Sequence, residues 1–213
     1  MESREAEDRR LSLAEEQRLI RAAQRGCAQS ATRLVETHQD RLYAFVWRLM
    51  RDPHDCDEVC QESFLRAFGA LAGFDFRYRF STWLFTIGYR LSLNTIQRRR
   101  DRVRDVDLGT LPDGSGGGRD APRTADEALA NSDEARRMRE MIWSAVDRLP
   151  PPQKATVMLY YREQMDCQQI GQVLSMPAAT VKSHLHRARA RLRDALDGRL
   201  AEDWTAVRFG TQG

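Results

Sequence analysis

Between Asp101 and Ala135 the sequence carries Gly114, the run Gly116 to Gly118, two prolines and many acids, and it shows no sustained apolar periodicity. A segment of that composition cannot bury a core, so it reads as a flexible linker that divides the chain into two modules. On both sides of it, apolar residues recur at three- and four-residue steps, the period of a helix with one buried face. The 213-residue chain is therefore expected to be all-α, with two small helical domains.

In the first module, Ser12 with Glu15 three residues later is a capping box that opens a short helix, and Gly26 closes it. Ala31, Leu34, Val35, Leu42, Phe45, Val46 and Leu49 mark the buried stripe of a helix from about Ala28 to Met50. Asp52 followed by Pro53 ends that helix and starts another, reaching about Phe68. Its inner face would be Cys56, Val59, Cys60, Ser63, Phe64 and Ala67, leaving Asp57, Glu58, Gln61, Glu62 and Leu65 outward. A loop from Gly73 to Phe80 follows, after which Ser81 is expected to cap a helix to about Arg100. The resulting organisation is an arm over 1–27, a domain over 28–100, a linker over 101–135, a second domain over 136–197 and a tail over 198–213 that the pattern leaves unread.

Apolar residues make up 41% of the chain and charged residues 31%, which suits a folded soluble protein. The net charge of +3 is modest; its distribution is what informs. Arg98, Arg99, Arg100, Arg102 and Arg104 form one basic run and Lys182 to Arg193 a second without any acid, with a mostly acidic stretch between them. The four cysteines show no paired framework, and no apolar run approaches the roughly 18 to 20 residues of a membrane span. Met1 to Arg10 lacks the apolar core of a secretion signal, so the expected location is the cytoplasm, with no insertion into a membrane.

Two constellations carry the chemistry. After a helix containing Met138, Met141, Ile142, Ala145, Val146 and Leu149 and the break Pro150-Pro151-Pro152, Gln168 to Leu174 reads as a short helix. Ser175-Met176-Pro177 then reads as a turn and Ala178 to Leu196 as a longer helix, the helix-turn-helix plan that places its second helix in a DNA major groove. Ile170, Val173, Leu174, Val181, Leu185 and Leu192 would form its apolar seam, while Thr180, Lys182, Ser183, His186 and Arg187 project from the opposite side. Two modules joined by about 35 coil residues would span about 33 Å, close to the 34 Å or so of one DNA turn.

The second constellation is Phe74, Phe76, Arg77, Tyr78, Arg79, Phe80, Trp83, Phe85 and Tyr89, aromatics interleaved with cations. Exposed rings stack on unpaired bases while arginines hold phosphates, the needs of single-strand recognition. Phe74, Phe80 and Trp83 fit a core role equally well; Tyr78, Phe85 and Tyr89 are the stronger candidates for exposure.

Together these motifs resemble the extracytoplasmic-function group of bacterial sigma factors, over almost all of residues 28–197. Asp57-Glu58-Val59-Cys60-Gln61-Glu62-Ser63-Phe64-Leu65-Arg66 is similar to that family's acidic helix, and Phe80-Ser81-Thr82-Trp83-Leu84 to its promoter-melting motif. Leu149-Pro150-Pro151 and Thr180 to Arg189 are similar to its C-terminal signature. The resemblance implies core RNA polymerase binding through Asp57, Glu58, Gln61, Glu62 and Leu65. It implies capture of an opened −10 element through Phe76, Arg77, Tyr78 and Arg79, with Trp83, Tyr89, Arg90, Asn94, Gln97 and Arg98 lining the strand's path. Duplex −35 recognition falls to Gln168, Thr180, Lys182, Ser183, His186 and Arg187. Promoter DNA, core RNA polymerase and a silencing anti-sigma factor, soluble or membrane-bound, are the implied partners. The chain departs from the family pattern at Arg90, Asn94 and Gln97, where Asn, Asp and Arg are frequent, and at Cys167-Gln168-Gln169.

No catalytic centre, cofactor or metal is expected. Cys56 and Cys60 lie one helical turn apart near His54 but lack a fourth ligand for zinc, and two small buried residues account for the pair better. No Walker loop, nucleophile elbow or Rossmann glycine motif is present. A free-standing operator-binding regulator is the rival of another class; it would need neither the acidic helix around Glu58 nor the aromatic loop around Tyr78.

Overall fold

The computed structural model describes residues 11–106 and 133–209, with side-chain surroundings for 11–101 and 137–197. The described residues are helical and contain no strand, and the chain divides into two compact units between Ala128 and Leu129. The linker expected over 101–135 lies, in its span 107–132, outside the described residues, as do Met1 to Arg10.

The first unit holds α1 (Leu13–Gln24), α2 (Ala28–Met50), α3 (Pro53–Gly69), a single 3-10 turn (Leu71–Gly73) and α4 (Phe80–Val106). Its caps follow the sequence closely. The Ser12 hydroxyl accepts the Glu15 amide, and the Glu15 carboxylate accepts the Ser12 amide in return. The Asp52 carboxylate accepts the Asp55 amide at 2.9 Å, with Pro53 in the first helical position.

Leu34, Leu42, Phe45 and Val46 of α2 pack against Cys56, Val59, Ser63 and Ala67 of α3 and Leu84 and Phe85 of α4, all fully or nearly fully buried. Gly88 permits this close approach, because a Cβ there would come within 2.8 Å of the Leu42 Cδ1 and 3.4 Å of the Ser63 Oγ.

Several expectations are corrected here. α4 begins at Phe80, one residue ahead of the expected Ser81 cap, and the Phe80 amide donates to the Glu16 carboxylate of α1 at 3.4 Å. A side chain 64 positions away supplies what a local serine was expected to supply. The helix then continues to Val106, past the expected end at Arg100. Phe85 and Tyr89, expected on the surface, are buried against Phe45 at ring separations of 5.2 and 6.4 Å.

The second unit holds α5 (Asp133–Asp147), α6 (Pro151–Val157), a π-helical turn (Met158–Arg162), α7 (Cys167–Leu174) and α8 (Ala178–Phe209). Val146, Leu149, Val157 and Ala188 form its centre, with Trp143 and Leu192 packed on the edge. The expected tail after 197 continues α8 as helix to Phe209.

Asp166 caps α7 by accepting the Gln168 and Gln169 amides at 2.8 Å, and Gln169 returns the bond, so the helix starts one residue before its expected first position. Ser175 closes α7 in the left-handed region at φ 55°. The Met176 amide then donates to the Gly171 carbonyl at 2.9 Å. A Cβ on Gly171 would lie 2.6 Å from the Met176 carbonyl oxygen, which is backbone and cannot swing away. Gly171→Ala should therefore destabilise the second unit by on the order of 2 kcal/mol, read by urea unfolding of the full chain; unchanged unfolding would show that the turn relaxes freely.

Candidate nucleic-acid interface

The helix-turn-helix surface follows from which edge of α8 the core takes. Val181, Leu185 and Ala188 are all buried, Ala188 in the cluster with Val146, Leu149 and Val157, while Ile170, Val173 and Leu174 are the buried side of α7, which packs on α8. On a helix this forces the intervening positions outward, and Thr180, Lys182, Ser183, His186 and Arg187 are all exposed. Gln168, on the first turn of α7, is exposed as well. This surface offers hydroxyl, ammonium, imidazole and guanidinium groups suited to phosphates and base edges. Arg189, in the same basic run, is turned sideways: its Nε donates to the Tyr161 hydroxyl at 2.7 Å, and its guanidinium lies over the rings of Tyr160 and Tyr161.

In the first unit the loop entering α4 is built on Asp75. Its carboxylate accepts the Arg77 amide at 3.0 Å, an Asx turn, and pairs with the Arg77 guanidinium at 2.6 Å. That pairing holds the Asp75 carboxyl below its ordinary range. Tyr78 is 42% exposed, with Arg77 over its ring. Phe76 is half-buried, edge-on to Phe74, and Trp83 is half-buried between Phe74 and Phe80.

Arg90, Asn94, Gln97 and Arg98 are exposed and continue along one face of α4. Tyr89 does not join them, being 7% exposed, and its place in the expected strand path is withdrawn: its ring belongs to the core. Arg79 is half-buried and tethered, its guanidinium 3.2 Å from the buried Glu16 carboxylate and donating to the Leu11 carbonyl at 3.1 Å.

A third surface lies on α3. Asp57, Glu58 and Gln61 are exposed, Leu65 is 69% exposed, and Glu62 is half-exposed and paired with Arg66 at 2.6 Å. Beside them runs a groove of about 780 Å³ between α2 and α3, floored by Val35, Tyr43, Phe64 and Phe68. Cys60 and Phe64, expected inside, are only half-buried because they line this groove.

Some residues that shape the site were missed in the sequence. Asp75 precedes Arg77 by the two-residue spacing of an Asx turn, a usable signal. Glu16 lies four residues before the buried Ile20 on α1, so an acid on an apolar face could have been noticed. Arg99, assigned to a basic run, binds Asp52 at 2.8 Å and Asp55 at 2.5 Å and ties α4 to the start of α3. Among the described residues, His54, Asp55 and Glu58 bring ligand-type atoms within 4.8 Å of one another, but Asp55 is already engaged by Arg99.

Comparison with known proteins gives the family of both units. Residues 34–102 match the family model described as Sigma-70 region 2, and residues 139–192 match Sigma-70, region 4. The chain is 25% identical over 180 residues to the ECF RNA polymerase sigma factor SigW of Bacillus subtilis, covering 83% of this chain and 94% of that protein. It is 31% identical over 167 residues to the RNA polymerase sigma-E factor of Streptomyces avermitilis, covering 78% and 84%.

Among solved structures, CnrH in complex with the cytosolic domain of CnrY aligns at TM-score 0.59 and 23% identity, over 86% of this chain and 98% of that one. RpoE from Bartonella quintana, in complex with the anti-sigma factor NepR, aligns at 0.61 and 19%, over 78% and 96%; both likenesses show the fold. The chain belongs to the sigma-70 family, in its extracytoplasmic-function group of RNA polymerase sigma factors. This is a family of transcription initiation factors and not of catalysts.

Beneath the loop, His38 of α2 sits 3.9 Å from the Glu16 carboxylate and in ring contact with Phe80. Burial, with Arg41 and Arg79 adding to it, pushes the His38 imidazole down to about 3 from an ordinary 6.5. The folded chain thus keeps His38 neutral where the unfolded chain protonates it. Its contribution to stability is complete above pH 6.5 and is lost as pH falls toward 3, by at most about 1.4 kcal/mol per pH unit. His38→Gln removes this proton uptake, so the wild-type minus variant difference in unfolding free energy should shrink as pH falls through that window. A difference that stays constant with pH would refute it.

Proposed function

We propose that the three surfaces divide promoter recognition as follows. The exposed edge of α8, with Gln168, reads the −35 element as duplex. The loop bearing Phe76, Arg77 and Tyr78, with Trp83 and the α4 face of Arg90, Asn94, Gln97 and Arg98, takes the separated −10 strand. The α3 surface of Asp57, Glu58, Gln61, Glu62 and Leu65 docks on core RNA polymerase. The observation that carries this is the sorting of α8: each of its residues assigned to DNA is exposed, whereas Val181 and Leu185 between them and Ala188 after them are buried.

The chemistry supports each part. Unstacking costs a few kcal/mol per base step, and stacking of a freed base on an exposed ring returns about 1 to 3. Opening therefore asks for an exposed ring beside cations, as Tyr78 provides beside Arg77. Acids and amides around a projecting Leu65 suit a basic partner surface with an apolar pocket.

The place of action is then the cytoplasm, where polymerase and DNA meet; among the described residues no helix is long and apolar enough to cross a membrane. A silencing anti-sigma partner completes the reading, by analogy with the two structural neighbours, solved in complex with the cytosolic domain of CnrY and with the anti-sigma factor NepR.

Run-off transcription with purified core polymerase on a promoter library tests the whole: specific start sites should appear only when this chain is added. Leu65→Asp should abolish core association in a pull-down while leaving unfolding unchanged, and retained association would remove α3 from the docking surface. Arg187→Ala should weaken holoenzyme binding to −35 duplex by about 1 to 3 kcal/mol, with relaxed sequence preference if it contacts a base and a shallower salt dependence if it contacts phosphate. Binding unaffected in both respects would exclude Arg187 from the interface.

A further inference from the structure

The Sigma-70 region 2 match begins at residue 34, which leaves α1 outside it. Yet α1 holds the segment that leads into α4 at several points. Gln24 donates its amide to the Leu71 carbonyl at 2.9 Å. The Arg21 guanidinium lies 4.8 Å over the Phe76 ring. Glu16, 1% exposed, accepts the Phe80 amide at 3.4 Å and pairs with the Arg79 guanidinium at 3.2 Å. Arg79 in turn donates to the Leu11 carbonyl, just before the Ser12 cap of α1.

A buried carboxylate is costly unless its charge is met, so a sequence retains one where the charge fixes a geometry that an apolar group would leave loose. Glu16 meets both ends of one bond in the backbone, the side chain of Arg79 and the amide of Phe80. Those are the last residue of the loop and the first of α4. Fixing them fixes where Arg77 and Tyr78 stand, because only three residues, Phe76, Arg77 and Tyr78, separate Asp75, the base of the Asx turn, from Arg79. Glu16 itself is buried and cannot touch a strand.

We infer that Glu16 is a positioning residue for promoter opening: through Arg79 and the Phe80 amide it presets the aromatic loop, so that α1 is a working part of the −10 site. This rests on the −10 assignment proposed above for Tyr78. The loop is thereby ordered before a strand arrives, and the ordering entropy is not charged against capture of the unpaired bases.

The test uses holoenzyme assembled from core polymerase and the full chain, with permanganate reactivity of −10 thymines reporting opening. Glu16→Gln keeps the shape and can still accept the Phe80 amide, but it loses the charge that holds Arg79. Opening should slow by about tenfold, while core association and binding to −35 duplex stay as in the wild type; a merely structural role would lower all three together. Glu16→Asp, which keeps the charge, should recover part of the rate.

Tyr78→Ala separates the two ideas. If it opens promoters normally, the −10 assignment fails and the inference goes with it; if it is impaired while Glu16→Gln opens at the wild-type rate, the inference alone is overturned. Should Glu16→Gln not fold, the double variant Glu16→Gln/Arg79→Met removes both charges together and is read the same way: slowed opening supports the role of Glu16, and normal opening overturns it.

Discussion

Every element of the first unit converges on Phe80. Its ring, fully buried, faces His38 from α2, Phe68 from α3, Phe74 from the loop and Trp83 from α4, and its amide is met by Glu16 from α1. Burying a phenylalanine contributes about 1.5 to 3 kcal/mol through apolar area, and well-oriented ring pairs add about 0.5 to 1.5 each. The larger effect is geometric, since one side chain anchors the first turn of the helix whose exposed face is assigned to the strand. The loop proposed to face the promoter is therefore an extension of the core.

The second unit reaches its surface by the opposite route. There the face proposed for recognition is simply what remains after α8 has given Val181, Leu185 and Ala188 to the core. The turn before it is fixed by backbone requirements, a left-handed Ser175 and a Gly171 that lets the chain pass close to Met176. Both act through the backbone, shaping the turn from which α8 starts.

How much could be read in advance follows from how local each determinant is. The capping boxes at Ser12, the Asp52-Pro53 junction, the α8 seam and the outward face of α3 are encoded within one or two helical turns, and they stand where the pattern put them. The start of α4 at Phe80 lies two residues ahead of the one a Ser81 cap implies, because the group that meets its first amide comes from α1, 64 positions away. Phe85 and Tyr89 were read as exposed because composition cannot tell a ring that stacks on bases from one that packs on Phe45. The cations show the same limit: Arg99, Arg79 and Arg189 look alike in the sequence to Arg98 and Arg187, but they are held by Asp52 and Asp55, by Glu16 and by Tyr161.

The Asx turn at Asp75 separates two duties within one short loop. Asp75 and Phe74 secure its base, whereas the Arg77 and Tyr78 side chains project beyond the packed rings and add little to folding. Substitutions at such protruding tips usually change stability by less than about 0.5 kcal/mol. If the loop takes bases as proposed, selection can redraw which ones it prefers in small, individually viable steps, letting relatives diverge in target repertoire while inheriting the same scaffold.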